Sequence, residues 1–304
     1  MIKLQVCLTV KMRNRKFKYL SFLSFVLFLW QFYSCDIINP DEEIPSYISI
    51  DSISLKTNDA NIEGIASESI QDAWIYIDNN LIGVYELPIT FPILKEGTQN
   101  ITIYPGIFLN GIASVRKSYN FYKPYIVTTN LEKGKVTKIT PETGYTDNTT
   151  FIIEDFEDVG IMYDTTAYSK VSLDRATSEI PSKQETYIGK ISLTTAKNSF
   201  DCITSEGYNL PRSGAPVFLE IDYKNDIEFV ILLYALNNND LSSGEIVTIR
   251  SSSEWKKMYI NLTTVIADFN SADKYFIGIY AKLPSDQTEA NILLDNLKII
   301  HTKQ

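Results

Sequence analysis

The chain has 304 residues, with 37 Asp and Glu against 28 Lys and Arg, a net charge of −9, one histidine and three cysteines. An acidic surface repels nucleic acid. A single histidine, His301, excludes multi-histidine metal sites and any His-dependent triad not built on His301 itself. No Gly-rich phosphate loop, metal-ligand cluster or nucleophile elbow is present, so the chain reads as non-enzymatic, with no cofactor required.

The N-terminus sets the address. Lys11, Arg13, Arg15, Lys16 and Lys18 precede an uncharged, largely apolar run from Tyr19 to Phe32. That run has the length of a signal-peptide core and is too short to cross a bilayer core of about 30 Å as a helix. Tyr33, Ser34 and Cys35 follow, a small residue directly before a cysteine. The order resembles the lipobox of Bacteroidetes-type lipoproteins, which implies cleavage after residue 34, lipidation of Cys35 and an outer-membrane location; the acids soon after Cys35 resemble the export signal that sends such lipoproteins to the cell surface. Met12 is an alternative start to Met1. The leader carries six Lys and Arg and no acid, so its removal leaves 270 residues and takes the net charge to −15. Cys7 leaves with the leader and Cys35 takes lipid, so Cys202 has no intramolecular disulfide partner. Acyl chains at about 0.8 kcal/mol per buried CH₂ anchor the protein to a membrane without a transmembrane helix.

Residues 35–46 hold two prolines and four acids and read as an extended tether. Residues 47–125 read as a β-sandwich. An alternating strand from Tyr47 shifts phase between Ile50 and Ile53, predicting a bulge or kink. A second strand runs from Asp72 to Asp78, turns at Asn79 and Asn80, and returns through Leu81 to Tyr85. Pro88 and Pro92 confine the next segment to an edge or loop. The segments "IYIDNN", "LIGVYELP", "FPIL", "KEG" and "NITIYPGI" resemble a PEGA-like module, an Ig-like sandwich that carries no chemistry. Trp74, between Ala73 and Ile75, is expected in the core more readily than as a stacking platform. Arg116 and Lys117 are expected as solvated edge residues.

Residues 126–150 are polar and read as a connector, with one short strand near 135–139. Residues 151–304 read as a second sandwich of many short strands. Val217, Leu219, Ile221 and Tyr223 alternate with Glu220 and Asp222, and the apolar run Phe229 to Leu236 is expected to be buried on both faces or to cross the sandwich. One helical turn or two is expected from Thr263 to Phe269. The segments "EDFED", "GKISL", "FLEIDYK", "WKKMYINL" and "ILLDNLKII" resemble, in order and spacing, a galactose-binding-like jelly roll of the carbohydrate-binding-module type. The fold class is therefore all-β, two tandem antiparallel sandwiches behind a lipoprotein leader.

The resemblance implies neighbouring first and last strands and a structural calcium between Glu157 and Asp295. It also directs attention to tyrosines that could stack on sugar rings, among them Tyr163, Tyr168, Tyr208 and Tyr234, while Trp255 is expected to pack internally. Asp51-Ser52-Ile53 and Asp164-Thr165-Thr166 resemble O-glycosylation sequons of exported Bacteroidetes-type proteins, at Ser52 and Thr165. Two functions follow. The first is an accessory lipoprotein that docks an envelope protein partner in an outer-membrane transport or secretion assembly. The alternative is a surface glycan-binding protein or adhesin working through the jelly roll.

Overall fold

The computed structural model describes Phe22, residues 42–178 and residues 187–303; Cys35, the residue expected to carry lipid, lies outside them. The N-terminal sandwich contains β1 (Ser46–Ile50), β2 (Ser54–Leu55), the helical turn α1 (Ala60–Glu63), β3 (Asp72–Ile77), β4 (Asn80–Glu86), β5 (Ile89–Ile93), β6 (Gly97–Phe108), β7 (Arg116–Ser118), β8 (Tyr125–Leu131), β9 (Val136–Ile139) and β10 (Glu142–Thr143). One sheet runs β5-β1-β9 and the other β4-β3-β6-β7, with β8 also paired to β6. Ile48, Ile50, Phe91 and Ile139 from the first pack against Ala73, Ile75, Ile77, Ile101 and Ile103 from the second. The phase shift read at Ile50 to Ile53 is a break between β1 and β2. Pro92 sits on the edge strand β5, where its missing N–H costs no ladder bond.

Three local readings are corrected. The β3–β4 turn sits one residue earlier than expected, because Asp78 and Asn79 are the two residues with positive φ (49° and 65°) that such a tight turn requires. The sandwich is not wholly antiparallel: β1 pairs with β9, and β2 with β10, in parallel. The polar stretch 126–150 also supplies more than one short strand. Tyr125–Leu131 zips onto β6 over seven residue pairs, because its alternate residues are apolar enough to cover the core edge.

The second sandwich comprises β11 (Thr149–Glu154), β12 (Tyr163–Thr165), β13 (Asp174–Thr177), β14 (Tyr187–Thr194), β15 (Ser199–Thr204), β16 (Val217–Asn225), β17 (Phe229–Asn237), β18 (Asp240–Ile249), β19 (Ser252–Asn261), the short helix α2 (Thr263–Asp268), β20 (Lys274–Lys282) and β21 (Glu289–Thr302). One sheet runs β13-β14-β21-β16-β19, with β11 on the C-terminal half of β21; the other runs β12-β15-β20-β17-β18. The first and last strands are neighbours, as the jelly-roll resemblance implied. Phe200, Leu219, Ile221, Phe229, Ile231, Ile277 and Leu294 fill the space between the sheets. Cys202 is buried there, and burial pushes its thiol well above the ordinary range, so it is inert packing.

The outer face of β16, β19 and β21 is largely covered. Ile107, Tyr119, Phe121, Tyr122 and Tyr145 press onto Phe218, Tyr259 and Ile300. Within this apolar seam lies a charged knot. Glu220, fully buried, accepts from the Tyr119 and Tyr145 hydroxyls at 2.9 Å each and pairs with Lys257 at 2.8 Å. Asp222 accepts from Ser67 (2.6 Å) and Asn296 (3.2 Å). Lys298 donates to the carbonyls of Glu63 and Ile65, both at 2.9 Å. Burial alone would lower the affinity of Lys257 for its proton, but Glu220 and Asp222 together hold the ammonium above its usual range. Residues 46–304 are one compact unit as a result.

Candidate functional site

With one outer face of the jelly roll covered, the other, on β12-β15-β20-β17-β18, remains. Side chains there follow from strand alternation. On β17, Phe229, Ile231, Leu233 and Ala235 are buried, while Val230, Leu232, Tyr234 and Leu236 are half-buried on the opposite side. The apolar run is therefore not buried on both faces, as its composition predicts; its second face is a sheet surface. On β20, Tyr275, Ile277 and Ile279 point inward and Phe276, Gly278 and Tyr280 outward. Register places Phe276 beside Tyr234 and Tyr280 beside Val230.

Gly278 explains how the surface is shaped. A Cβ there would sit 2.5 Å from Cε2 of Tyr234, so the ring lies down across the glycine of the neighbouring strand. Beyond β20 comes β15, where Asp201 faces Tyr280 and Ile203 faces Gly278. Asp201 is nearly buried. Its Oδ2 accepts from the Thr166 hydroxyl at 2.9 Å, and its Oδ1 receives no hydrogen bond. Burial first, and then the nearby Asp201 carboxylate, push the Tyr234 hydroxyl above its usual range, so it stays a neutral donor. The chain after β12 borders the face: Ser169 accepts from the Asp201 amide, and Tyr168 stands 81% exposed at the rim. Toward the end of the face, Val230, Thr248, Tyr280 and Lys282 line a hollow of about 380 Å³.

The surface thus combines aromatic rings with an incompletely satisfied carboxylate and rim hydroxyls. Rings can stack on the apolar face of a flat ligand, and the polar groups can accept from its hydroxyls. None of these groups forms a nucleophile and base pair, and among the described residues no group of three or more His, Cys, Asp and Glu is arranged to hold a metal ion.

The residues singled out from the sequence divide sharply. Tyr234 and Tyr168 lie on and beside this face. Tyr163 is buried in the core, and Tyr208 packs against the core with its backbone bonded to Tyr275. Tyr280, Phe276 and Asp201 were not anticipated. The alternation of Tyr275 to Tyr280 pointed to two sets, but not to the open side. Trp74 is not a core residue: Ala73, Ile75 and Ile77 take the inner positions, which turns Trp74 outward. Trp255 is likewise half-buried, lining a cleft beside Phe108 and Tyr223. Arg116 is not a free edge residue but is paired with Asp72 and Glu86.

Glu157 and Asp295, the pair that the resemblance implies for calcium, each accept a backbone hydrogen bond. Calcium takes six or more oxygens. Here Oε1 of Glu157 accepts from the Tyr187 amide (2.9 Å), and Asp295 lies fully buried with Oδ1 on the Asn296 amide (2.8 Å). Ser52 and Thr165 are both exposed, Thr165 on the edge strand β12.

No protein-family model and no curated protein matches the chain. Among solved structures, a family 29 carbohydrate-binding module complexed with mannohexaose is similar at 17% identity and a TM-score of 0.34, over 51% of this chain and 94% of that one. The family 11 carbohydrate-binding module from Clostridium thermocellum, in complex with a β-1,3-1,4-mixed-linked tetrasaccharide, is similar at 15% identity and a TM-score of 0.36, over 51% of this chain and 97% of that one. The CBM22-1 and GH10 modules of a Clostridium thermocellum xylanase, complexed with xylohexaose, are similar at 13% identity and a TM-score of 0.35, over 47% of this chain and 26% of that one. The strand pairings described above define this chain as an all-β protein with a jelly-roll sandwich.

Proposed function

We propose that this protein is a non-catalytic glycan-binding lipoprotein, anchored through Cys35 at the outer membrane, that holds a saccharide on the outer face of β15, β20 and β17. The observation that carries the reading is the row of outward rings on β17 and β20, Tyr280 facing Asp201 and Phe276 beside Tyr234, on the one jelly-roll face that the N-terminal sandwich leaves open. Sugar rings offer a flat C–H face to the aromatic rings and hydroxyls to Oδ1 of Asp201. None of the observations above supports the accessory role in an envelope assembly.

The test is a glycan array followed by affinity electrophoresis with the best polysaccharide. Tyr234→Ala with Tyr280→Ala should weaken binding by roughly tenfold or more, two aromatic contacts at about 0.5–1.5 kcal/mol each, and leave the circular dichroism spectrum unchanged. Unaltered binding by a folded double variant refutes the assignment of the site. Protease shaving of intact cells, with a Cys35→Ala control, tests the address.

A further inference from the structure

A second aromatic surface lies on the N-terminal sandwich, away from the face just described. Trp74 and Tyr76 leave β3 on its outer side, and Tyr104 of β6 stands directly across from Trp74. Tyr76 and Tyr104 meet edge to face with centroids 5.5 Å apart, and Tyr104 is 39% exposed. With Ser118 these three rings line a hollow of about 190 Å³. Gly106, paired with both Asp72 and Ser118, lets the two side chains close in over it: a Cβ there would sit 2.9 Å from Nε1 of Trp74 and 2.7 Å from Cβ of Asp72.

Two polar atoms beside that glycine are unmatched. The indole N–H of Trp74 has no acceptor, and Oδ2 of the fully buried Asp72 has no donor. Leaving buried polar groups without partners costs stability. A hydroxyl both accepts and donates, so one hydroxyl placed between them satisfies both. Arg116 does not make the surface cationic, because Asp72 and Glu86 both pair with it and leave one negative charge in excess. That balance disfavours uronic or sulfated sugars.

We propose that the N-terminal sandwich carries a second sugar-binding site, in which a neutral pyranose ring stacks on Trp74 and Tyr104 with a hydroxyl between the Trp74 indole and the Asp72 carboxylate. The ligand class rests on the glycan reading above, but the residues are separate. Because the two sandwiches are locked by the buried seam, a polysaccharide matrix can engage both surfaces, and its avidity exceeds that of a short oligosaccharide.

The experiment uses the full chain in four forms: wild type, Tyr234→Ala with Tyr280→Ala, Trp74→Ala with Tyr104→Ala, and all four changes together. Each is titrated with soluble β-glucan, mannan, xylan and the acidic polygalacturonate, with melting temperature as the folding control. In the Tyr234/Tyr280 background, removing Trp74 and Tyr104 should lower affinity for a neutral polysaccharide by roughly five- to tenfold. Trp74→Phe, which keeps a ring but has no N–H to donate, should restore only part of the loss. In that background the tryptophan emission should change on adding glycan and lose that change in Trp74→Phe. Unchanged affinity after loss of Trp74 and Tyr104 in both backgrounds overturns the proposal, as does preference for polygalacturonate or capture of a protein without response to any glycan. If instead the jelly-roll reading is the one at fault, the Tyr234/Tyr280 change has no effect while the Trp74 dependence remains.

Discussion

The two outer faces of the jelly roll carry the opposite of what their chemistry suggests. The face of β16, β19 and β21 bears Glu220, Asp222, Lys257 and Lys298, yet it is buried beneath the N-terminal sandwich. The face of β15, β20 and β17 bears Ile203, Leu232, Tyr234, Phe276 and Tyr280, yet it is open. The charged face tolerates burial because its groups satisfy one another: two tyrosine hydroxyls and an ammonium converge on Glu220, and Lys298 finds two backbone carbonyls. The aromatic face tolerates exposure because its rings lie down on neighbouring strands, Tyr234 on Gly278 above all. Alternation along a strand says which residues leave the core; it does not say what they meet.

The largest expected effect falls on the buried face. Glu220→Ala leaves Lys257 without its closest counter-charge and strands two tyrosine hydroxyls. It should cost about 3–5 kcal/mol in urea unfolding, the range for breaking a buried pair. Leu232→Ala on the open face should cost far less. Equal losses at the two positions would erase the contrast between the faces. Next in size is Gly278→Ala. The added methyl must displace the Tyr234 ring and crowd the Cys202 carbonyl, 3.1 Å from it. Stability should fall by about 1 kcal/mol, and glycan affinity by several-fold, as for loss of one ring contact. A variant with full affinity would show that Tyr234 need not lie flat.

The smallest effect concerns pH at the N-terminal sandwich. Burial raises the Asp72 carboxyl above its ordinary value of 3.8, and Arg116 offsets part of this. A group raised on folding contributes stability that is fully present below its unfolded value and lost as pH rises through its folded value. The stability of the wild type relative to Asp72→Asn should therefore decline slightly as pH is raised from about 3.5 and then level off. A relative stability that climbs with pH would mean that the Arg116 ion pair outweighs burial.

Much of the architecture was legible along the chain. The strands starting near Val217, Trp255, Tyr275 and Asn291, the helical turn after Thr263 and the pairing of first and last strands all follow from alternation, turn residues and the jelly-roll resemblance. The segments that escaped, β8 and β18 among them, are largely polar; they are strands because a neighbouring strand offers its backbone, which composition does not report. The candidate site was half legible. Tyr234 and Tyr168 were in view, but Tyr163 and Tyr208 carry the same side chain and are taken by the core.

By itself, the sequence determined that this is an all-β chain with tandem sandwiches, because alternation and turn chemistry are local and act within a few residues. It also determined that Trp74, Ala73, Ile75 and Tyr76 fall on alternating sides of one strand. Which side is the inside was settled by packing. Ala73 and Ile75 meet a second sheet whose strands lie up to some sixty residues away, and Glu220 meets tyrosines 101 and 75 residues from it. Burial and exposure depend on those distant partners, so the open aromatic face and the sealed charged one are products of the tertiary structure.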